Sequence, residues 1–252
     1  MALKVATATP LVRRAAAGLL QALLLLSLFW TALFCAWLGL SRVDFGYPLL
    51  YDLLDIGAHI DFYAPQNHYK SGFADTDRAQ RLALFGQIVR AVERDGAGLA
   101  EIRYRDRHGR SFALLRPPER VHLESVARLI SALRRFSYVM LGVLAVSAAL
   151  CRALAIGLPS LRRVLLVVTA LAAAGVGAVL AIGPQRVFDT LHVWVFPPNE
   201  QWFFYYQESL MTTLMKAPDL FGAIAVLLLL ATLACFVALL AAARRLLGRA
   251  AS

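Results

Sequence analysis

Two histidines of this 252-residue chain could perform acid–base chemistry. His122 stands in "ERVHLESV" and His192 begins "HVWVFPPNEQWFF", about 70 positions later. Histidine titrates near neutral pH and is the side chain most often used as a general acid or base. A histidine at a membrane interface can also simply hydrogen-bond to a backbone carbonyl. The residue types therefore predict proton transfer without excluding a structural role.

Other kinds of catalytic site lack support in the sequence. It contains no G-x-S-x-G motif that would present a serine nucleophile. His59 and His68 match no zinc-binding spacing, and there is no HExxH helix. The three cysteines, Cys35, Cys151 and Cys235, lie in or at the ends of apolar runs and form neither a metal motif nor a disulfide framework. We therefore expect no metal site.

The elements that must position the two histidines are membrane helices. The chain is 60% hydrophobic and only 17% charged, with a mean hydropathy of +0.63, which is outside the range of ordinary soluble domains. A bilayer core of about 30 Å requires about 20 apolar residues in a helix. Four stretches meet this requirement, namely 18–40, 137–158, 164–182 and 220–243. The sequence predicts an all-α polytopic membrane protein with four transmembrane helices.

The charge distribution predicts the orientation of these helices. All 16 acidic residues fall in the segments 41–136 and 184–219. The N-terminal segment 1–17, the link 159–163 and the tail 244–252 carry only basic charges. Short basic segments remain in the cytoplasm. Both termini and the link should therefore be cytoplasmic, and the two mixed-charge segments should face outward. The net charge of +10 then reflects topology, and we expect no nucleic-acid partner.

The outward segment 41–136 should form a small α+β domain. "DTDRAQRLALFGQIVRAVERDG" has helical apolar spacing after a possible N-cap at Asp75 or Asp77. "LAEIRYRDRHGRSFALLR" alternates apolar and polar residues on both sides of a polar turn, as is typical of a β-hairpin. These patterns predict a helix plus a β-hairpin between the first two spans.

A long helix should follow the hairpin and carry His122. Pro117 and Pro118 suit the first turn of a helix. No helix breaker follows until Gly142, which already lies inside the second span. The sequence therefore predicts one continuous helix that holds His122 on the outer side and then enters the membrane.

The segment that follows His192 resembles the lipoprotein intramolecular transacylase family of four-span membrane proteins. The family pattern is a histidine followed by Phe, a polar group, Trp-x-Phe, and an acidic stretch that ends in proline and aromatics. Here His192 is followed by Phe196, "PPNEQ", the aromatic run from Trp202 to Phe204, "ESLMTTL" from Glu208, and "APDLF". This block agrees with the predicted four-span plan.

A second block resembles the other landmark of that family, an acidic residue followed by His-x-x-Asp-Val. In this chain Glu119, His122 and Val126 match it, and Ser125 stands where aspartate is expected. Two histidine blocks thus occur in the family's order, and the predicted topology places both on the outer side of the membrane.

The resemblance implies an acyl transfer within one bacterial lipoprotein. The sn-2 acyl chain of a diacylglyceryl cysteine would move from the glycerol oxygen to the N-terminal amine, giving an N-acyl, S-lyso lipoprotein. It implies that His122 and His192 are catalytic, one as a base and the other as a proton donor, and we favour His192 as the base. The reaction requires no cofactor because a more stable amide replaces an ester. The site would lie on the outer face of the bacterial cytoplasmic (inner) membrane, among its lipids.

The resemblance also suggests supporting residues. Three residues of the first block would orient His122, and five residues of the second would bind substrate. The orienting residues are Glu119, Glu124 and Ser125, and the substrate-binding residues are Phe196, Asn199, Trp202, Phe204 and Glu208.

Two alternatives remain open from the sequence. The chain could be another membrane acyltransferase that uses a phospholipid as the donor. It could also be a non-enzymatic membrane subunit that binds a partner through residues 41–136. A transporter is disfavoured, because the predicted spans carry no charge except Arg152 at an inner edge, whereas coupled transport usually requires ionisable groups near the bilayer centre.

Overall fold

The computed structural model describes residues 10–248. The outermost parts of the predicted cytoplasmic termini 1–17 and 244–252 therefore lie outside the described residues. The helices and strands follow in the order α1 Pro10–Ser41, α2 Tyr47–Leu53, α3 Ile56–Tyr63, α4 Arg78–Val92, β1 Arg103–Arg105, β2 Ser111–Ala113, α5 Pro117–Ala153, α6 Leu161–Ile182, α7 Pro184–Val195, α8 Leu210–Met215 and α9 Asp219–Gly248.

Four of the described helices are long and apolar enough to cross a membrane, namely α1, α5, α6 and α9. The predicted spans fall on these same four helices. The predicted fold, mainly helical with four membrane helices and a small antiparallel sheet, is confirmed.

The second membrane helix ends earlier than its apolar sequence predicts. α5 stops at Ala153, whereas the apolar run continues to 158. Ala155 adopts a left-handed backbone conformation with φ of 52°, and a right-handed helix cannot continue through a residue in that conformation. Gly157 and Pro159 follow and favour a turn. Backbone geometry, rather than hydropathy, therefore sets this boundary.

One compact unit is built from residues 10–36, 135–173 and 230–248 of the described chain. Its buried core joins Leu28 and Ala32 of α1 to Val164 of α6 and to Phe236 and Leu240 of α9. The Trp30 indole also donates a 2.9 Å hydrogen bond to the hydroxyl of Ser137. Apolar packing and this polar contact between helices hold the unit together.

The other compact unit is built from residues 37–134 and 174–229 and contains both histidine blocks. Its apolar core brings together side chains of α2, α3, α4, the hairpin and α8, including Tyr47, Ile56, Ile60, Leu84, Tyr104, Leu114, Leu210 and Leu214. Each fully buried large apolar side chain contributes about 1.5–3 kcal/mol relative to an exposed one. This core fixes the scaffold on which the histidines are held.

The predicted helix and hairpin of this unit are both present. Asp77 is the N-cap of α4 and accepts a 2.7 Å hydrogen bond from the backbone N–H of Gln80. β1 pairs with β2 in antiparallel register, with Tyr104 opposite Phe112. Asp106 closes the turn by accepting the backbone N–H groups of His108 and Arg110. Local sequence signals therefore specify these elements correctly.

α5 begins at Pro117 and runs without interruption to Ala153, which confirms the predicted long helix. The segment 184–219, in contrast, is more ordered than the sequence suggests. It contains α7, which begins at Pro184 after Gly183, and α8, all six residues of which are buried. His122 thus lies near the start of α5, and His192 lies in the last turn of α7.

Candidate active site

The two histidines predicted to be catalytic lie side by side. The ring centroids of His122 and His192 are 5.9 Å apart, and the ring planes are tilted by 33°. Two imidazoles at this separation can reach neighbouring atoms of one substrate, which is what a paired acid–base mechanism requires. A mechanism based on both histidines required this proximity, and the structure provides it.

His122 is buried and hydrogen-bonded to a carboxylate. Its Nδ1 atom lies 3.1 Å from Oε1 of Glu200, and the two side chains are 9% and 6% exposed. The other carboxylate oxygen, Oε2, accepts a 2.5 Å hydrogen bond from the Ser125 hydroxyl. The Ser125 hydroxyl in turn accepts a 2.6 Å hydrogen bond from Nη2 of Arg128. A polar chain therefore runs from Arg128 to the His122 ring.

His192 is oriented by its own helix. Its Nδ1 atom lies 2.8 Å from the carbonyl oxygen of Phe188, four residues earlier in α7. A carbonyl oxygen only accepts hydrogen bonds, so Nδ1 of His192 carries the proton. In the neutral imidazole, Nε2 then keeps its lone pair and can accept a proton.

Aromatic rings enclose the histidine pair. The Phe196 ring lies 4.7 Å from His122 and 5.3 Å from His192, so it contacts both imidazoles. The Trp202 ring lies 4.8 Å from His192, and the Phe204 ring lies 6.5 Å from His122. Aromatic walls of this kind accommodate apolar groups. Three predicted substrate-binding residues therefore surround the histidines.

The other predicted substrate-binding residues are placed less directly. Asn199 is exposed, in the turn that follows the two prolines. Glu208 is half-buried, and its backbone N–H donates to the carbonyl of Tyr205. The described contacts of these two residues do not link their side chains to either histidine.

The residue that orients His122 differs from the sequence-based expectation. Glu119 is fully buried and accepts a hydrogen bond from the backbone N–H of Arg116. Glu119 lies in the first turn of α5, where backbone N–H groups have no partner within the helix. Glu124 pairs with Arg120 at 3.4 Å. The carboxylate beside His122 belongs instead to Glu200, which corrects the expectation for Glu119 and Glu124. Ser125 does contribute, through Glu200.

Glu200 was missed because its partner is 78 positions away in the sequence. The sequence feature that could have indicated Glu200 is its position as the single acidic residue between a proline pair and Trp202, in a segment rich in aromatic residues. A backbone hydrogen bond from Glu200 to the carbonyl of Pro197 forms the turn that directs its side chain.

A third histidine, His59, has a different setting in the same unit. Its ring packs between Tyr63 and Tyr206, with ring centroids 4.7 Å and 4.5 Å away. Burial, together with a smaller effect of the nearby charge of Lys216, lowers the pKa of His59 to about 4. His59 is thus held neutral as a packing residue. Among residues 10–248, no group of three or more His, Cys, Asp or Glu side chains is arranged to hold a metal ion.

Comparison with known proteins finds similarity in structure. No protein-family model and no curated protein sequence matches the chain. Solved structures of the membrane integral lipoprotein intramolecular transacylase Lit from Bacillus cereus match it, with TM-scores of 0.64 to 0.66 and 14–15% sequence identity. The matches cover 93–94% of this chain and 95–97% of those chains. Two of these structures carry a substitution of one histidine, to arginine and to alanine.

The likeness extends over nearly the whole length of both chains, so it includes the four membrane helices and the unit that contains the histidines. At this low identity it establishes the fold. The chain therefore shares its fold with lipoprotein intramolecular transacylase, the family that its two histidine blocks resemble.

Proposed function

We propose that this protein is an intramolecular transacylase of bacterial lipoproteins. It moves the sn-2 acyl chain of a diacylglyceryl cysteine to the free amine of the same cysteine and produces an N-acyl, S-lyso lipoprotein. The observation that carries the proposal is the 5.9 Å separation of the His122 and His192 rings within an aromatic enclosure. The shared fold supports an acyltransferase of this class.

The chemistry requires one proton acceptor and one proton donor. A free α-amine has a reference pKa of about 7.7–8.0, so a histidine is a suitable base for it. The amine nitrogen attacks the ester carbonyl carbon while an imidazole removes its proton. The carbon–oxygen bond to glycerol then breaks, and the leaving oxygen receives a proton. One proton is taken and one is returned, so ester and amine become amide and alcohol without a cofactor.

The aromatic side chains around the histidines suit this substrate. Phe196 touches both imidazoles, and Trp202 and Phe204 extend the apolar wall. Such a wall can hold the acyl chain and keep water from hydrolysing the ester. Because the amine and the ester belong to one molecule, holding them together supplies a large share of the rate.

The proposed location is the outer face of the bacterial cytoplasmic membrane. The bias of basic residues towards the segments 1–17, 159–163 and 244–252 supports cytoplasmic termini. The histidine blocks would then face the side on which lipoproteins with a free N-terminal cysteine are found. Membrane lipids and the diacylglyceryl lipoprotein are the proposed partners.

Mass spectrometry of the N-terminal peptide of one abundant lipoprotein tests this function. The peptide should become N-acylated and retain one glycerol-linked chain in cells that express the intact protein. Cells that express His192→Ala should retain the diacylglyceryl peptide. His108→Ala is the matched control, because His108 is exposed at the tip of the hairpin.

An unchanged diacylglyceryl peptide with the intact protein present in the membrane would contradict the proposal. An N-acylated peptide that keeps both glycerol-linked chains would instead indicate an acyl donor outside the lipoprotein, such as a phospholipid. Normal activity of His192→Ala would remove the histidine from the mechanism.

A further inference from the structure

The side chain of Glu200 is buried in a segment that otherwise consists mainly of aromatic and proline residues. It lies in the loop 196–209, between α7 and α8, and its side chain is 6% exposed. A carboxylate is removed from water only when hydrogen-bond donors replace the lost hydration. The hydrogen-bond donors around the Glu200 carboxylate therefore indicate which groups it positions.

The two oxygens of Glu200 have different partners. Oε1 lies 3.1 Å from Nδ1 of His122, and Oε2 accepts the hydroxyl of Ser125 at 2.5 Å. His122 and Ser125 are three residues apart on α5, so they share one face of that helix. Two contacts on one helix face fix both the position and the plane of the carboxylate.

The Ser125 hydroxyl is itself held by a further hydrogen bond. Nη2 of Arg128 donates to the Ser125 hydroxyl at 2.6 Å, so the hydroxyl proton is directed towards Glu200. The carboxylate therefore accepts from Ser125 and is left to accept from the imidazole as well. An ionised carboxylate has no proton to donate, which requires that Nδ1 of His122 carry the hydrogen.

We propose that Glu200 is the positioning residue of His122. It holds the imidazole in the tautomer with hydrogen on Nδ1, so that Nε2 keeps a free lone pair, and it faces the positive charge that forms when Nε2 takes up a proton. The role in the reaction rests on the proposed transacylase function, whereas the tautomer does not.

In this arrangement the two histidines have the same tautomer, but the groups that accept their Nδ1–H differ. His192 donates Nδ1–H to the neutral carbonyl of Phe188, whereas His122 donates to a carboxylate. A carboxylate partner increases the basicity of an imidazole more than a carbonyl does. Burial lowers the pKa of His122, and the carboxylate of Glu200 opposes that shift. The capacity of His122 to accept a proton therefore depends on the loop 196–209.

The first measurement compares Glu200→Gln with the intact protein in a transacylation assay. The amide is close in size but carries no charge, and we expect the rate to fall by about 10- to 100-fold, the loss typical when an orienting partner of a histidine is removed at metal sites. Glu101→Gln is the matched control, because Glu101 is exposed beside the hairpin, and it should keep the full rate.

Relocating the carboxylate separates positioning from general structural support. Ser125→Asp in the Glu200→Gln background places a carboxylate on α5, where the hydroxyl now reaches Glu200. Aspartate at this position lies one helical turn from His122, and we expect it to restore most of the lost rate. If Glu200 only stabilised its own loop, an aspartate on α5 would not restore the rate.

A readout independent of activity is the ¹⁵N spectrum of the imidazoles. The chain has five histidines, and His122→Asn identifies the resonances of His122. We expect one His122 tautomer with hydrogen on Nδ1 in the intact protein, a mixture in Glu200→Ala, and the single tautomer again in Glu200→Gln/Ser125→Asp. The His192 resonances should stay unchanged throughout.

The outcomes distinguish this inference from the proposed function. If Glu200→Gln and Glu200→Ala leave both the rate and the His122 tautomer unchanged, Glu200 does not position His122. A lowered rate with an unchanged tautomer in Glu200→Ala would also overturn the inference. If the intact protein forms no N-acyl product, the transacylase proposal fails, and the tautomer spectrum still decides the role of Glu200.

Discussion

His192 donates its Nδ1–H to the carbonyl oxygen of Phe188, 2.8 Å away and one turn earlier in α7. This bond turns Nε2 away from the backbone and leaves it as the nitrogen available for proton transfer. The last turn of α7, ending at Val195, therefore orients one of the two proposed catalytic histidines.

The first prediction uses this bond. Asparagine can place an amide N–H near the position of Nδ1 but has no equivalent of Nε2. His192→Asn should therefore lose about 100-fold or more in transacylation rate, as expected for a missing acid–base group. It should keep an unfolding temperature closer to that of the intact protein than His192→Ala does, in thermal unfolding of the purified protein.

The matched comparison is His108→Asn at the exposed hairpin tip, which should change neither quantity. Substantial activity in His192→Asn would show that Nε2 of His192 takes no part in proton transfer.

The second prediction concerns the aromatic wall. The Trp202 ring lies 4.8 Å from the His192 ring, so Trp202→Ala should open the enclosure, whereas Trp202→Phe should largely preserve it. Aromatic contacts contribute about 0.5–1.5 kcal/mol beyond their buried area, so we expect Trp202→Ala to lower the rate by about 10-fold. The measurement is the initial rate with a synthetic diacylglyceryl lipopeptide.

Tyr205→Ala is the control for Trp202→Ala, since Tyr205 is an exposed aromatic residue of the same loop. Equal losses in the two variants would mean that the loop is damaged in general and that the Trp202 ring has no specific role.

The third prediction tests how α8 is anchored to α2. Tyr47 is fully buried, and its hydroxyl donates a 2.6 Å hydrogen bond to the carbonyl of Leu214 in α8. Tyr47→Phe leaves that carbonyl without its partner and should lower the free energy of unfolding by about 1–2 kcal/mol. Chemical denaturation in detergent would measure the change, and Tyr205→Phe, at an exposed site, should have no effect.

The fourth prediction is a pH dependence of stability that arises from His59. Its pKa is lowered to about 4, mainly by burial and to a smaller extent by the charge of Lys216, while Asp219 opposes the shift. The unfolded chain, with an ordinary histidine pKa of about 6.5, binds this proton more readily than the folded one. The contribution of His59 is therefore fully present above pH of about 6.5 and is lost as the pH falls towards about 4.

His59→Phe should reduce this decline, because phenylalanine can fill the space between Tyr63 and Tyr206 without a titratable group. Unfolding temperatures measured between pH 7 and pH 4 would check it, with His68→Phe at an exposed site as the control. An identical decline in His59→Phe and the intact protein would exclude His59 as its source.

The sequence by itself determines the elements that depend on near neighbours. Runs of about 20 apolar residues specify the four membrane helices, since each must satisfy its own backbone hydrogen bonds in the bilayer. Asp77 caps α4 through a residue three positions away, and the alternation around Asp106 specifies the hairpin. The histidine blocks also identify His122 and His192 as the candidate pair.

The tertiary structure alone decides which side chains meet. Glu119 is three residues from His122 but turns to the backbone of Arg116, while Glu200, 78 residues away, reaches the imidazole. The burial of α8 likewise depends on its packing against α3 and α4 rather than on local pattern. Long-range contacts of this kind arise from how the elements pack, and sequence spacing carries no record of that packing.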